Sequence, residues 1–182
     1  MHNKNYNFFT YIDNLNQENI IKLNKKINII LRNYEKKFKN IELIKFVKFC
    51  KKNNRKIYLA NDIKKAKSLD FNGVYIPAFN KLPIKYNLNI KNKFTILGSA
   101  HDIKEILIKK NQKIDMIFIS PLFKNKKKQN QLGVIKFNLI KKSFSNKFIA
   151  LGGINEKNKK ELKLLKINGY AAINYFKNND QL

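Results

Sequence analysis

Two adjacent glycines, Gly152 and Gly153, close the apolar run Lys147–Leu151 and precede a stretch of helical periodicity, "INEKNKKELKLLK". The chain has only 6 glycines, so a neighbouring pair is informative. Glycine supplies a positive φ or lets another group approach bare backbone, and N–H groups exposed at the start of a helix suit a phosphate. A tight strand-to-helix turn would call for the same pair. Other residues with chemical potential are Arg32, the neighbours Asn61 and Asp62, the spaced pair Ser99 and His101, and the lysine-rich patch "KNKKKQNQ" from Lys124 to Gln131. Asp62 could cap the helix starting at Ile63. His101 could act as a neutral imidazole beside a substrate or as a hydrogen-bonded residue at a helix start. The lysines could stabilise a departing anion or form a solvated loop.

These residues need elements to bring them together. Short apolar runs recur at Phe8–Ile12, Ile27–Leu31, Lys56–Ala60, Gly73–Ile76, Phe94–Gly98, Asp115–Ile119, Lys147–Leu151 and Tyr170–Ile173. Amphipathic stretches lie between them, such as "IELIKFVKFCKK", with Ile41, Ile44, Val47 and Phe49 near one face, and "HDIKEILIKK". Regular βα alternation with near-continuous apolar strands predicts a parallel sheet covered by helices, and about eight strands favour a closed TIM (β/α)8 barrel. With 182 residues against the roughly 250 typical of that fold, some helices must be shortened or missing. The stretch after Asn14, the run "AFNKLPIKYNLNIKN" and the tail after Ile173 are the places expected to lack full helices. The whole chain, 1–182, is expected to form a single barrel domain. Every candidate above then falls at a C-terminal strand end, where such barrels keep their chemistry, and the glycine pair follows the seventh strand, a common phosphate position.

Composition narrows the partners. A formal net charge of +27 invites a nucleic-acid reading, but of 39 cations only Arg32 and Arg55 are arginines. Arginine is the usual reader of base edges and phosphates, so its scarcity argues against nucleic-acid recognition. Lysine, asparagine and isoleucine share A/T-rich codons, and a genome-wide nucleotide bias accounts for the excess. No apolar run is long enough to span a bilayer and the first residues lack a signal-peptide pattern, so a cytoplasmic protein without a membrane partner is expected. The lone Cys50 excludes an internal disulfide and is expected to be buried on a helix. The oligomeric state, a homo-oligomer included, is left open.

Five segments in order, "YLANDIKKAKSLDFNGVYI", "ILGSAHDIKEI", "DMIFISPLF", "LGVIKF" and "FIALGGINEKNKKELKLLKINGYAAI", resemble signatures of the thiamine phosphate synthase and thiazole tautomerase superfamily. The resemblance is dense from Ile57 to Ile173 and thin before Arg32. It implies a compact TIM barrel and, for the synthases, coupling of hydroxymethylpyrimidine diphosphate to thiazole phosphate with Mg²⁺ and release of pyrophosphate. By that likeness thiazole phosphate sits on Gly152 and Gly153 under a loop at Ile173 and Asn174. Arg32 stands in a reduced Gln-Leu-Arg-Glu-Lys motif, here "ILRNY". Asn61 and Asp62 match a pair whose Asp binds Mg²⁺. Ser99 and His101 match a Ser-x-His motif, and Lys128 matches the lysine of a loop that clasps the diphosphate.

The chain departs from that pattern at several points. Asn80 replaces a second metal carboxylate, and the two diphosphate-binding threonines are replaced by Asn125 and Lys127. Ile30 and Tyr34 stand where the synthases have Gln and Lys. Lys124, Lys126, Lys127 and Lys128 are the residues expected to compensate electrostatically. The expectation is therefore a divergent synthase. Alternatives are a non-catalytic binder of a phosphorylated thiazole or thiamine precursor, a tautomerase-like isomerase, and a polyanion binder. The tautomerase histidine after the sixth strand is here Pro121, a synthase-like residue.

Overall fold

A computed structural model of the chain describes residues 6–32, 34, 38–84, 94–124, 131–173 and 175–176. Eight parallel strands close into a barrel in sequence order: β1 (Asn7–Ile12), β2 (Ile27–Leu31), β3 (Ile57–Ala60), β4 (Gly73–Ile76), β5 (Thr95–Ala100), β6 (Met116–Ile119), β7 (Lys147–Leu151) and β8 (Gly169–Ala171). Among the described residues five α-helices cover it: α1 (Gln17–Lys22), α2 (Asn40–Lys52), α3 (Ile63–Ser68), α4 (Ile103–Asn111) and α5 (Gly133–Ser143). The expected TIM barrel is present. Closure comes from β1 pairing with both β2 and β8.

Side chains alternate along each strand, so each run splits into two cores. The outward set, including Ile29, Leu31, Ile57, Val74, Ile96, Ile117 and Phe148, packs under the helices. The inward set fills the barrel with Phe9, Tyr11, Ile30, Tyr58, Tyr75, Leu97, Phe118, Ile149 and Ala171. The inward group is unusually aromatic: Phe9 meets Phe118 edge to face at 4.9 Å, Phe118 meets Tyr75 at 5.6 Å, and Tyr75 meets Tyr11 at 5.5 Å. Such contacts add to the area these rings bury. The result is a solid barrel interior whose upper end carries two phenol hydroxyls, 3.2 Å apart.

Several sequence expectations need correction. The buried face of α2 is Leu43, Phe46, Val47 and Cys50, while Ile41 is exposed and Ile44 and Phe49 are half-buried. Strand β5 runs on to Ala100 rather than stopping at Gly98, and β8 stops at Ala171 rather than Ile173. After β7 no α-helix forms; a 3₁₀ turn over Lys159–Leu164 takes its place. The local cause is a pair of asparagines. Asn155 and Asn158 both donate side-chain hydrogen bonds to the Gly153 carbonyl, at 3.2 and 2.7 Å, and Asn155 Oδ1 accepts from the backbone of Lys157 and Asn158. Asparagine side chains compete with helical hydrogen bonding in this way. The run after β4 falls partly outside the described residues; its described portion, through Ile84, contains no helix.

Cys50 is fully buried on α2, as expected, and burial pushes its thiol up to about 12. Arg55, one of the two arginines, is also buried. Its guanidinium donates to the carbonyls of Asn24 (2.7 Å), Leu23 and Ile21 (3.4 Å), which satisfies the carbonyl end of α1. Among the described residues no helix is long and apolar enough to cross a membrane.

Candidate functional site

At the C-terminal mouth of the barrel lies a cavity of about 730 Å³. The alternation that fills the interior also selects its wall: one inward step beyond Ile30 is Arg32, beyond Tyr75 is Pro77, beyond Leu97 are Ser99 and His101, and beyond Phe118 is Ser120. All of these line the cavity, together with Tyr11, Tyr34, Phe79, Lys81, Glu105, Gly152 and Ile173. Of the residues singled out in the sequence, Arg32, Ser99, His101, Gly152 and Ile173 are thus brought together from four strands.

Arg32 is held on two sides. Its Nε donates to Asp13 Oδ1 at 3.3 Å and its guanidinium carbon lies 5.3 Å from the centre of the Tyr11 ring. The ion pair is solvent-accessible and contributes little to stability, but it fixes where the cation points. His101 precedes α4, whose N-cap is Asp102. Its backbone N–H donates to Glu105 Oε2 at 2.7 Å and its ring Nδ1 lies 3.0 Å from the same oxygen. His101 is thus anchored at a helix start and also lines the cavity. Below it, burial raises both the Tyr75 and the Tyr11 phenol, with the hydroxyls of Ser99 and Tyr11 partly offsetting the effect at Tyr75. The floor of the cavity is consequently a set of neutral hydroxyls.

The glycine pair has two distinct jobs. Gly152 lies on the cavity and Gly153 behind it, both with positive φ, 94° and 72°. The loop after β6 packs directly on them: Leu122 N–H donates to the Leu151 carbonyl at 2.8 Å and Phe123 N–H to the Gly152 carbonyl at 3.1 Å. A Cβ on Gly153 would sit 2.3 Å from the Phe123 carbonyl oxygen. Close backbone approach therefore requires glycine here. The expected helix start is absent, so no helix dipole contributes. What remains for an anion is the N–H groups of Gly152 and Gly153, which have no acceptor among the described residues.

Asp62 and its neighbours do not join this cavity. The period of two would carry Asp62 inward after Tyr58 and Ala60, but Asn61 adopts a positive φ of 61° and turns the chain away. Asp62 becomes the N-cap of α3, with Oδ1 accepting from Lys65 N at 2.8 Å. Asn61 Oδ1 accepts from Asn80 Nδ2 at 2.7 Å, while Asn80 Oδ1 accepts from Leu82 N at 3.1 Å. The two asparagines form a neutral clip between the loops after β3 and β4. Among the described residues no group of three or more His, Cys, Asp or Glu side chains could hold a metal ion. Mg²⁺ is commonly held by one or two carboxylates together with substrate phosphates and waters; Asp62 would be its one protein carboxylate here, with Asn80 a neutral neighbour. Urea unfolding checks the role of Asp62: Asp62→Ala is expected to cost about 1 kcal/mol, with Asp62→Asn within about 0.5 kcal/mol of the parent, because an amide oxygen also caps. Equal losses in both variants would overturn the cap assignment.

Asn125, Lys127, Lys128 and Asn174 lie outside the described residues. The base of the lysine loop is stitched by Lys124 N–H donating to Gln131 Oε1 at 2.7 Å and by Gly133 N–H donating to the Leu122 carbonyl at 2.9 Å. Sequence reasoning passed over Tyr11, Tyr75 and Lys81. Tyr11 and Tyr75 could have been found by following the inward alternation to the ends of the first and fourth strands.

The profile of the family described as thiamine monophosphate synthase matches residues 15–176. Over 129 residues the chain is 34% identical to the thiamine-phosphate synthase of Prochlorococcus marinus, a match covering 69% of this chain and 37% of that protein. The chain thus corresponds to little more than a third of that relative's length. Among solved structures it is similar to the thiamine phosphate pyrophosphorylase of Pyrococcus furiosus, with a TM-score of 0.74 and 18% identity, covering 98% of this chain and 90% of that one. The corresponding protein of Bacteroides thetaiotaomicron gives a TM-score of 0.63 at 18% identity, covering 95% and 85%. A KGPDC from Streptococcus mutans gives 0.68 at 9% identity, covering 96% and 90%. At these identities the structural likeness speaks to the fold alone.

Proposed function

The chain belongs to the thiamine monophosphate synthase family, and from that premise we propose that it couples hydroxymethylpyrimidine diphosphate to thiazole phosphate, releasing pyrophosphate. The observation that carries the reading is the convergence of Arg32, Ser99, His101, Gly152 and Ile173 on one cavity at the barrel mouth. In this reading 1–182 acts as one domain, a cytoplasmic biosynthetic enzyme working on phosphorylated small molecules.

The proposed chemistry needs no strong nucleophile from the protein. The bond between the pyrimidine methylene carbon and the diphosphate oxygen breaks, and the electron pair leaves with pyrophosphate. The thiazole nitrogen then donates its lone pair to the methylene carbon. The protein's tasks are to hold the two molecules in line and to stabilise charge on the departing diphosphate. Arg32, oriented by Asp13 and Tyr11, and Lys81 supply cations at the cavity wall, with Lys124, Lys126, Lys127 and Lys128 as the proposed clasp. Ser99 and His101 hydrogen-bond the diphosphate. Gly152 and Gly153 offer N–H groups to the thiazole phosphate, with Ile173 and Asn174 closing over it. Asn61 serves through its bond to Asn80, which positions the β4 loop. Asp62 is the residue that would hold Mg²⁺ beside the diphosphate, where the ion would supply charge neutralisation; no step here is routed through it.

The neutral Asn61–Asn80 clip favours a second reading, a binder of thiazole phosphate that has lost turnover. One experiment separates the two. Purified protein is incubated with both substrates and Mg²⁺, and thiamine phosphate and pyrophosphate are measured beside thiazole phosphate binding by calorimetry. Stoichiometric formation of both products is expected. Binding without product would replace the first reading by the second, and neither would remove both.

A further inference from the structure

Helix α4 carries a lysine where its sequence pattern predicts nothing special. Lys109 is nevertheless completely buried, and Gln112, one turn on, is 4% exposed. Lysines are almost never fully buried unless paired, and among the described residues no carboxylate forms an ion pair with this one. Its three ammonium donors meet three oxygens: the Pro77 carbonyl at 2.9 Å, the Asn80 carbonyl at 2.8 Å and Gln112 Oε1 at 3.0 Å. Gln112 Nε2 in turn donates to the Asn80 carbonyl at 3.1 Å and the Leu82 carbonyl at 2.7 Å. Two side chains of one helix thus hold three carbonyls of the loop after β4. The described part of that loop forms no helix, so its carbonyls need partners from elsewhere.

The loop so held is a wall of the cavity, contributing Pro77, Ala78, Phe79 and Lys81. The first turn of the same helix holds a second part of the wall, through the contacts of Glu105 to His101. Glu105 and Lys109 are one turn apart, about 6 Å along the axis. Rigid α4 therefore sets the spacing between the His101 side of the cavity and the Phe79–Lys81 side. Burial also lowers the Lys109 ammonium to about 8, with the Glu105 carboxylate opposing the shift, as expected for a cation held by neutral oxygens.

We propose that Lys109 and Gln112, which do not line the cavity, are positioning residues that fix the loop after β4 and thereby set the cavity's affinity for its diphosphate substrate. The choice of ligand rests on the function proposed above; the positioning role does not. The test uses Lys109→Met, Lys109→Arg and the parent protein. In the ligand-free protein, hydrogen exchange at the Asn80 and Leu82 amides is expected to speed up about tenfold or more in Lys109→Met, with strand amides unchanged. Unchanged loop exchange, or acceleration spread over the barrel strands, would overturn the proposal. In the synthase assay, KM for the pyrimidine diphosphate is expected to rise about tenfold in Lys109→Met with kcat within about threefold, and Lys109→Arg to recover part of it. A fall in kcat with KM unchanged would also overturn it. If the parent makes no thiamine phosphate, the functional reading fails and the exchange measurement alone decides the role of Lys109.

Discussion

Replacing Arg32 by methionine is expected to lower kcat/KM for thiamine phosphate formation by about a hundred- to a thousandfold, the scale seen when a donor aimed at developing charge is removed. Stability should move by less than about 1 kcal/mol, because the ion pair with Asp13 is solvent-accessible. The side chain is placed by three features already in the chain: the inward step from Ile30, the Asp13 carboxylate and the face of Tyr11. Lysine at this position keeps the charge but lacks the planar fork that lies over Tyr11 while donating to Asp13. Arg32→Lys should therefore recover only part of the loss. The measurements are steady-state kinetics and thermal unfolding of both variants. A kcat/KM within threefold of the parent in Arg32→Met would remove Arg32 from the site. A large fall in melting temperature would make it a structural residue instead.

The second large effect is expected at Gly153. An alanine there must adopt a φ of 72° and place its Cβ 2.3 Å from the Phe123 oxygen, 2.6 Å from its carbonyl carbon and 2.8 Å from the Lys124 oxygen. All three are backbone atoms, so relief requires the loop after β6 to move. Gly133 provides the control. Its φ is nearly the same, 71°, yet a Cβ there meets nothing within 4 Å. Gly133→Ala should cost about 1 kcal/mol, the backbone penalty alone, whereas Gly153→Ala should cost about 3 kcal/mol or displace the loop. Thiazole phosphate binding should be lost only in Gly153→Ala. Urea unfolding and calorimetry on the pair decide it: equal losses would mean that the close packing of the β6 and β7 loops contributes nothing.

Much of the barrel was legible because its strands obey a simple rule. The limits of β2, β4 and β7 follow directly from apolar runs bounded by polar residues, at Ile27–Leu31, Gly73–Ile76 and Lys147–Leu151. The cavity-facing residues Arg32, Ser99 and His101 were legible for the same reason, as strand-end positions. Where reading failed, a side chain had taken over a backbone task. Asn155 and Asn158 displaced the helix expected after β7. At Asp62 the positive φ of Asn61 sets up the helix cap, one of the two readings left open for that residue. Lys109 was invisible for a different reason. Periodicity treats every lysine as a surface residue, and nothing local distinguishes one whose donors are matched by a distant loop.

The aromatic interior grades the cavity from bottom to top. At its base the Tyr11 and Tyr75 phenols keep their protons well into alkaline conditions, so the floor exchanges hydrogen bonds but carries no charge. Higher on the wall stand Arg32 and Lys81, both cations, and Gly152, whose N–H has no acceptor among the described residues. On the function proposed above, a guest with a neutral heterocycle at one end and a phosphate at the other is expected to enter ring downward and anion outward. The leaving anion would then depart from the end that faces solvent.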